Sequence, residues 1–188
     1  MRKFTPADYR MMPWKNGGGT TTELYVEPGP EAAFLWRVSI AEVATDGPFS
    51  TFAGYDRHIM AIEGSGMVLD GGPKGPISVN PKFVPRRFSG DWLITSHLIS
   101  GPVRDFNLMA RRDMIESHLE CIEVTAPFPS GGGDSEIIFA YLLEGRLEAG
   151  QELATGDSFL LIAGEAGTAV SRSSSPARLA VCRMKRRA

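Results

Sequence analysis

His58-Ile59-Met60-Ala61-Ile62-Glu63-Gly64-Ser65-Gly66-Met67-Val68-Leu69 is an apolar run, a polar turn with two glycines, and a second apolar run. Short apolar runs joined by a glycine turn predict a β-hairpin, because glycine supplies the positive φ that tight turns need. The pattern returns later in the chain. Met60-Ala61-Ile62-Glu63-Gly64 is echoed by Tyr141-Leu142-Leu143-Glu144-Gly145, and Gly90-Asp91 by Gly156-Asp157. Each unit reads as strand, Glu-Gly turn, strand, Gly-Asp turn, strand, and the first carries a longer insertion around Gly71 to Pro85. Two such units predict two small barrels or sandwiches in one chain. The boundary is expected at 126/127, giving an N-terminal half of residues 1–126 and a shorter half of 127–188. Gly131-Gly132-Gly133, flanked by Pro127, Pro129 and Ser130, reads as the linker.

Outward from the hairpin, the rest of the chain is punctuated in the same way. The 21 glycines and 13 prolines are scattered among apolar segments, leaving almost no stretch long enough for a helix. Phe34 to Val43 alternates, with Phe34, Trp36, Val38 and Ile40 on one face and Arg37, Ser39 and Ala41 on the other. In Asp105 to Arg112, Phe106, Leu108 and Ala110 oppose Asn107, Met109 and Arg111. Further strands are expected at 77–79, 92–99, 119–125, 136–143, 157–162, 168–171 and 178–183, with one short helix near Arg111 to Ser117. The fold class is therefore all-β.

Composition narrows the function. At 188 residues, 43% hydrophobic and 22% charged, the chain is an ordinary globular one and not a disordered segment. No run approaches the ~18 apolar residues of a membrane helix. The net charge of −2 provides no basic surface for nucleic acid. Two cysteines without a CxxC motif, and no apolar run behind the basic N-terminus, predict a reduced cytoplasmic setting.

The apolar-Glu-Gly turn followed by a Gly-Asp turn resembles the cupin pattern. A closer resemblance is to the HutD/Ves family of bacterial cupin-like proteins. It is carried by Met12-Pro13-Trp14-Lys15-Asn16-Gly17-Gly18-Gly19-Thr20 with Glu23, by Trp36 to Ala41, by Asp46-Gly47-Pro48-Phe49-Ser50 with Phe52, by Gly54 to His58, and by Gly101-Pro102 with Asp105 to Met109, Arg111 and Arg112. The resemblance implies a bicupin, two cupin-like halves in one chain, linked to histidine utilisation or stress response.

Cupins that hold a divalent metal do so with a His-x-His pair, a glutamate seven positions before the turn glycine, and a later histidine. Counting back from Gly64 gives Arg57, and from Gly145 gives Ile138; the His-x-His pair would fall near Ser50 and Phe52. A cation at the carboxylate position repels a metal ion and attracts an anion. No metal and no cofactor are therefore expected; the rival ligand set is Asp56, His58 and Glu63.

Arg57 and Arg37 sit on strands dominated by apolar residues, so each guanidinium needs a partner. That partner is either a ligand carboxylate gripped bidentately or an internal acid, with Asp56, Asp46 and Asp105 the candidates for Arg57. Asn107 and Arg111, on either side of Met109, either converge on one small group or pair internally. Trp14, Lys15, Asn16, Gly18 and Thr20 form a glycine-rich segment whose amides, cation and donors suit an anion, or else a plain lead-in loop anchored by the tryptophan. Trp14 or Phe49 would wall the pocket. The expected ligand is a small carboxylate, and the expected role is that of a sensor or accessory protein. The alternative is a cofactor-free enzyme, an isomerase or hydrolase, with Asp56 or His58 as base and Lys15 or Arg57 as electrophile. A third reading is a scaffold whose exposed β edges meet a protein partner, and a homodimer is compatible with such edges.

Overall fold

A computed structural model of the chain describes residues 1–15, 17–30, 33–125, 128–131, 135–171 and 176–187. Apart from one 3-10 turn at Pro6–Asp8, its regular elements are strands. In chain order they are β1 (Arg2–Phe4), β2 (Arg10–Pro13), β3 (Gly19–Pro28), β4 (Phe34–Val43), β5 (Gly47–Pro48), β6 (Tyr55–Glu63), β7 (Met67–Asp70), β8 (Ile77–Val79), β9 (Arg86–Ser89) and β10 (Thr95–Leu98). They continue with β11 (Val103–Arg111), β12 (Ile115–Val124), β13 (Phe128–Gly131), β14 (Glu136–Glu144), β15 (Arg146–Glu148), β16 (Glu152–Ala154), β17 (Ser158–Leu161), β18 (Ala166–Ser171) and β19 (Ala177–Arg186).

The strands form two compact units. One spans Tyr9–Ile115; the other joins Met1–Asp8 to Glu116–Ala188. The divide thus falls at Ile115/Glu116 and not at 126/127, and the first eight residues belong with the C-terminal part. The reason is pairing: β1 adds antiparallel to β17, with Arg2 opposite Leu160 and Phe4 opposite Ser158. The expected linker is also partly structured, since Pro129, Ser130 and Gly131 pair with Thr168, Gly167 and Ala166. Gly132 and Gly133 lie outside the described residues. No helix forms at Arg111–Ser117. The Met114 amide donates to the Arg111 carbonyl at 3.1 Å, closing a tight turn between β11 and β12.

In the Tyr9–Ile115 unit a six-stranded antiparallel sheet, ordered β2-β3-β4-β11-β6-β9, faces a four-stranded sheet, β5-β10-β7-β8. Ala41, Ile59, Ala61 and Val103 from the first meet Met67, Leu69 and Val79 from the second in one buried cluster. The other unit repeats the scheme with sheets β1-β17-β14-β19-β12 and β13-β18-β15-β16. Its interior is apolar, built on Ile138, Ala140, Leu142, Phe159, Leu179 and Val181. The Glu-Gly turns match in geometry. Gly64 has φ +85° and Gly145 φ +89°, and a Cβ on Gly64 would collide with the Pro102 carbonyl oxygen. Glycine is required at Gly64 by both its backbone conformation and this close approach.

Candidate functional site: a buried arginine on the inner face of a β-sheet

Strand alternation places one residue in two on the inner face of the six-stranded sheet. The register shows which residues lie side by side. Met109 of β11 is flanked by Arg37 on β4 and Arg57 on β6; Asn107 by Ser39 and Ile59; Asp105 by Ala41 and Ala61. Two interstrand spacings of ~4.8 Å put the Arg37 and Arg57 backbones ~10 Å apart. Arg57 is 5% exposed, Asn107 4% and Asp105 1%. In the other unit the position equivalent to Arg57, seven before its turn glycine, is the fully buried Ile138. An apolar filling is therefore available to this architecture, and the Tyr9–Ile115 unit lacks it at this position.

The partners of Arg57 are weak ones for a buried cation. Its Nη1 donates to the Ser50 carbonyl at 2.9 Å. Its Cζ lies 4.9 Å from the ring centre of Phe88, 5.3 Å from Phe49 and 5.5 Å from Phe52. Such ring contacts stabilise a desolvated cation by about 2 kcal/mol. The Nε–H has no hydrogen-bond partner. Among the described residues no carboxylate forms an ion pair with Arg57. Of the three internal acids expected to compete, Asp56 is held by Arg87 and Arg112, each at 2.7 Å. Asp46 is held by His97 and the Leu98 amide. Asp105 accepts from Asn107 Nδ2. Burial lowers the Arg57 pKa to about 10, with Asp105 opposing that shift and Arg37 adding to it. The group remains a cation at neutral pH.

Arg37 is similar but nearer the rim. Its Nη2 rests 3.6 Å from Met109 Sδ, a poor acceptor, and its Nε is unpartnered. Its Cζ lies 5.3 Å from both Phe34 and Phe52, so Phe52 serves the two guanidinium groups. Burial lowers its pKa, against the charges of Glu23 and Tyr55. Glu23 is opposite Ser39 on β3 and shares this face. One row further out, Arg111 pairs with Tyr55. Both line a cleft of about 520 Å³ together with Ala33, Ala53, Gly54, Arg112 and Asp113.

All but Trp14 and Phe49 of the remaining expected residues separate from this cluster. Arg111 is bound internally, Nε to Asp113 Oδ1 at 3.0 Å, and Asn107 turns to Asp105, so the two do not converge. Thr20 is opposite Glu42 and borders a groove with Glu63 and Arg104, on the outer face; alternation puts its neighbour Thr21 inside. Trp14 donates from its indole to Thr21 Oγ1 at 2.8 Å and packs against the inner cluster. Lys15 is exposed in the β2–β3 turn, which the Trp14 amide closes onto the Gly19 carbonyl. Gly18 is buried, and its carbonyl accepts from the Ala44 amide at 2.9 Å. Asn16 lies outside the described residues. The Phe49 ring centre lies 5.3 Å from Arg57 Cζ.

Two further expectations change. Asp56 and His58 are on the opposite face of β6 from Arg57, because 56 and 58 alternate with 57, so neither can act as base to a group held on Arg57. The positions a cupin metal would use do not fit a divalent cation. Arg57 fills the acid position, the Ser50 carbonyl accepts from it and the Phe52 ring covers it. Within the rival set, Glu63 pairs with Arg104. Among the described residues no three His, Cys, Asp or Glu side chains gather into a metal cluster. Sequence reading missed Phe34, Phe52 and Phe88 as the rings around the guanidinium groups. The signal for Phe52 was its nearness in sequence to Arg57; Phe88 is brought opposite Arg57 only by the pairing of β9 with β6.

Asp105 behaves unusually. Its Oδ2 has no partner, and burial pushes the carboxyl up to about 7, against the Asn107 hydrogen bond and the Arg57 charge. An acid whose folded pKa lies above its unfolded ~3.9 binds more protons folded than unfolded. Its contribution to stability is therefore lost as pH rises from ~4 to ~7. Asp105→Asn is expected to raise the stability at neutral pH and to flatten the slope over that window, as measured by urea unfolding. An unchanged slope would show that Asp105 ionises freely.

The HutD family profile matches residues 6–178. The chain belongs to the HutD family. An uncharacterised 21.2 kDa protein of Pseudomonas putida, encoded in the hutC 3′ region, is 40% identical over 122 residues; that stretch spans 63% of this chain and 63% of the relative. A solved conserved protein of unknown function from Pseudomonas aeruginosa PAO1 is 30% identical with a TM-score of 0.85, covering 98% of each chain. The solved HutD from Pseudomonas fluorescens SBW25 is 29% identical with a TM-score of 0.83, covering 100% of this chain and 99% of its own. More distant solved structures share the fold, which is cupin-like.

Proposed function

We propose that this HutD-family protein is a metal-free bicupin that binds a small carboxylate metabolite on Arg57 and acts as a sensor or accessory protein in histidine utilisation or the stress response. The observation that carries the reading is the buried Arg57 guanidinium. Its Nε–H has no hydrogen-bond partner, and no carboxylate lies in ion-pair range among the described residues. A buried cation without an anion is costly, and a bidentate carboxylate is the group that best offsets that cost. Arg37 adds a second cation on the same ring, and Trp14 and Phe49 wall the site. The Pseudomonas fluorescens HutD structure is described as a formate condition, and formate is the smallest carboxylate.

The setting follows from the same features. The net charge of −2 gives neither nucleic acid nor membrane a purchase, and no helix among the described residues is long and apolar enough to cross a bilayer. We place the protein in the cytoplasm, where its sheet edges are compatible with a homodimer. The test is calorimetric titration with formate, acetate and larger carboxylates beside their neutral amides. The carboxylates should bind and the amides should not. Equal binding of acid and amide, or heat from neither, would remove Arg57 as an anion site.

A further inference from the structure

Asp105 is a buried acid with half of its hydrogen-bonding capacity unused. Oδ1 accepts from Asn107, while Oδ2 has no partner. The elements around it supply little compensation. On β4 and β6 its neighbours in register are Ala41 and Ala61. The facing sheet contributes Met67, Leu69 and Val79 to the surrounding cluster, none of them charged. Among the described residues Arg57 on β6 is the one charge that acts on it; Arg37 on β4 and Glu23 on β3 sit farther out, and Glu23 acts on Arg37. The ionised form of Asp105 is thus balanced by a cation that is not in contact with it.

We propose that occupation of Arg57 by a carboxylate is coupled to the uptake of one proton by Asp105 Oδ2. This rests on the carboxylate reading of the Arg57 site. A bound anion cancels the field of the guanidinium and leaves Asp105 as a buried carboxylate with one hydrogen bond, a state far costlier than the neutral acid. The proton comes from solvent, and no bond within the ligand changes. Without ligand, Asp105 is already held near about 7, so it has almost no further anionic stabilisation to lose before it protonates. The complex then carries a proton that the free protein lacks above that pH. Affinity must fall as pH rises, by up to about tenfold per pH unit above ~7, and must level off below ~6.

Formate titrated calorimetrically into the wild-type protein tests this, because formate stays ionised throughout. Runs at ~6, ~7.5 and ~8.5, the highest repeated in two buffers of different ionisation enthalpy, should show the Kd rising about tenfold per unit at the alkaline end, with a buffer-dependent heat that approaches one proton taken up. Asp105→Asn should keep formate binding while losing both the slope and the buffer dependence. Wild-type binding with a flat pH profile and buffer-independent heat overturns the coupling and leaves the carboxylate site standing. A slope that persists in folded Asp105→Asn also overturns it. Absence of binding at ~6, where Asp105 is already neutral, overturns the carboxylate site and the coupling together. Should Asp105→Asn fail to fold, the buffer dependence of the wild-type heat decides alone: one proton taken up supports the coupling, and none overturns it.

Discussion

Arg57→Ala is expected to weaken carboxylate binding by roughly ten- to a hundredfold, the loss of one charge-assisted hydrogen-bond pair of about 1.5–3 kcal/mol. Unfolding is not expected. The substitution forfeits the Ser50 hydrogen bond and the contacts with Phe49, Phe52 and Phe88, but it also abolishes the desolvation of a cation that is 5% exposed. Asp105 then loses its counter-charge and becomes neutral, which limits the damage. Arg57→Lys separates charge from geometry, since it keeps the cation and loses the planar fork, and should recover only part of the affinity. Calorimetry with formate, read beside thermal melting, checks both. A folded Arg57→Ala that binds as tightly as wild type would remove Arg57 from the site.

The largest stability effect is expected in the other unit, at Phe4. This residue is 5% exposed, its ring centre lies 6.3 Å from that of Phe139, and its strand is the edge of the five-stranded sheet. Beside it, Lys3 Nζ bonds Asp157 at 2.9 Å and the Glu152 carbonyl at 2.6 Å, fastening β1 to the body of its unit. Truncating a buried phenylalanine costs about 3–5 kcal/mol, through lost transfer energy plus the cavity left behind. Phe4→Ala should therefore lower the melting temperature by on the order of 10 °C in a chain of this size. Because β1 is so short, the strand itself should detach, so the amides of β17 should lose hydrogen-exchange protection as well. A shift of a degree or two would show that β1 is dispensable to its sheet.

Legibility from sequence followed locality. Phe34–Val43 was readable to the residue because ten alternating positions carry their own period, and the division of β4 and β11 into two faces came with it, but not which face is the inner one. β3 went unread although Thr20, Thr21 and Thr22 are β-branched, since the glycine run before them drew a ligand-loop interpretation. The supposed helix at Arg111–Ser117 failed because helical spacing over seven residues is also what two strand ends and a turn look like. Arg57 was found by counting from a turn glycine. Of the rings around it, Phe49 was read as a wall and Phe52 and Phe88 were not; Phe88 comes beside Arg57 only when β9 pairs with β6.

By itself, then, the chain order of apolar runs and glycine turns determined an all-β protein and, counted against the cupin pattern it resembles, singled out a guanidinium on a strand of apolar residues. Backbone period and turn conformation are local properties, written into neighbouring residues. Which acids remain for Arg57 was decided only in three dimensions. Asp56 faces the other way, Asp46 is taken by His97, and Asp105 sits two rows deeper beside Asn107. Ion pairing depends on a few ångströms between strands distant in sequence, and only the register of the folded sheet sets those distances.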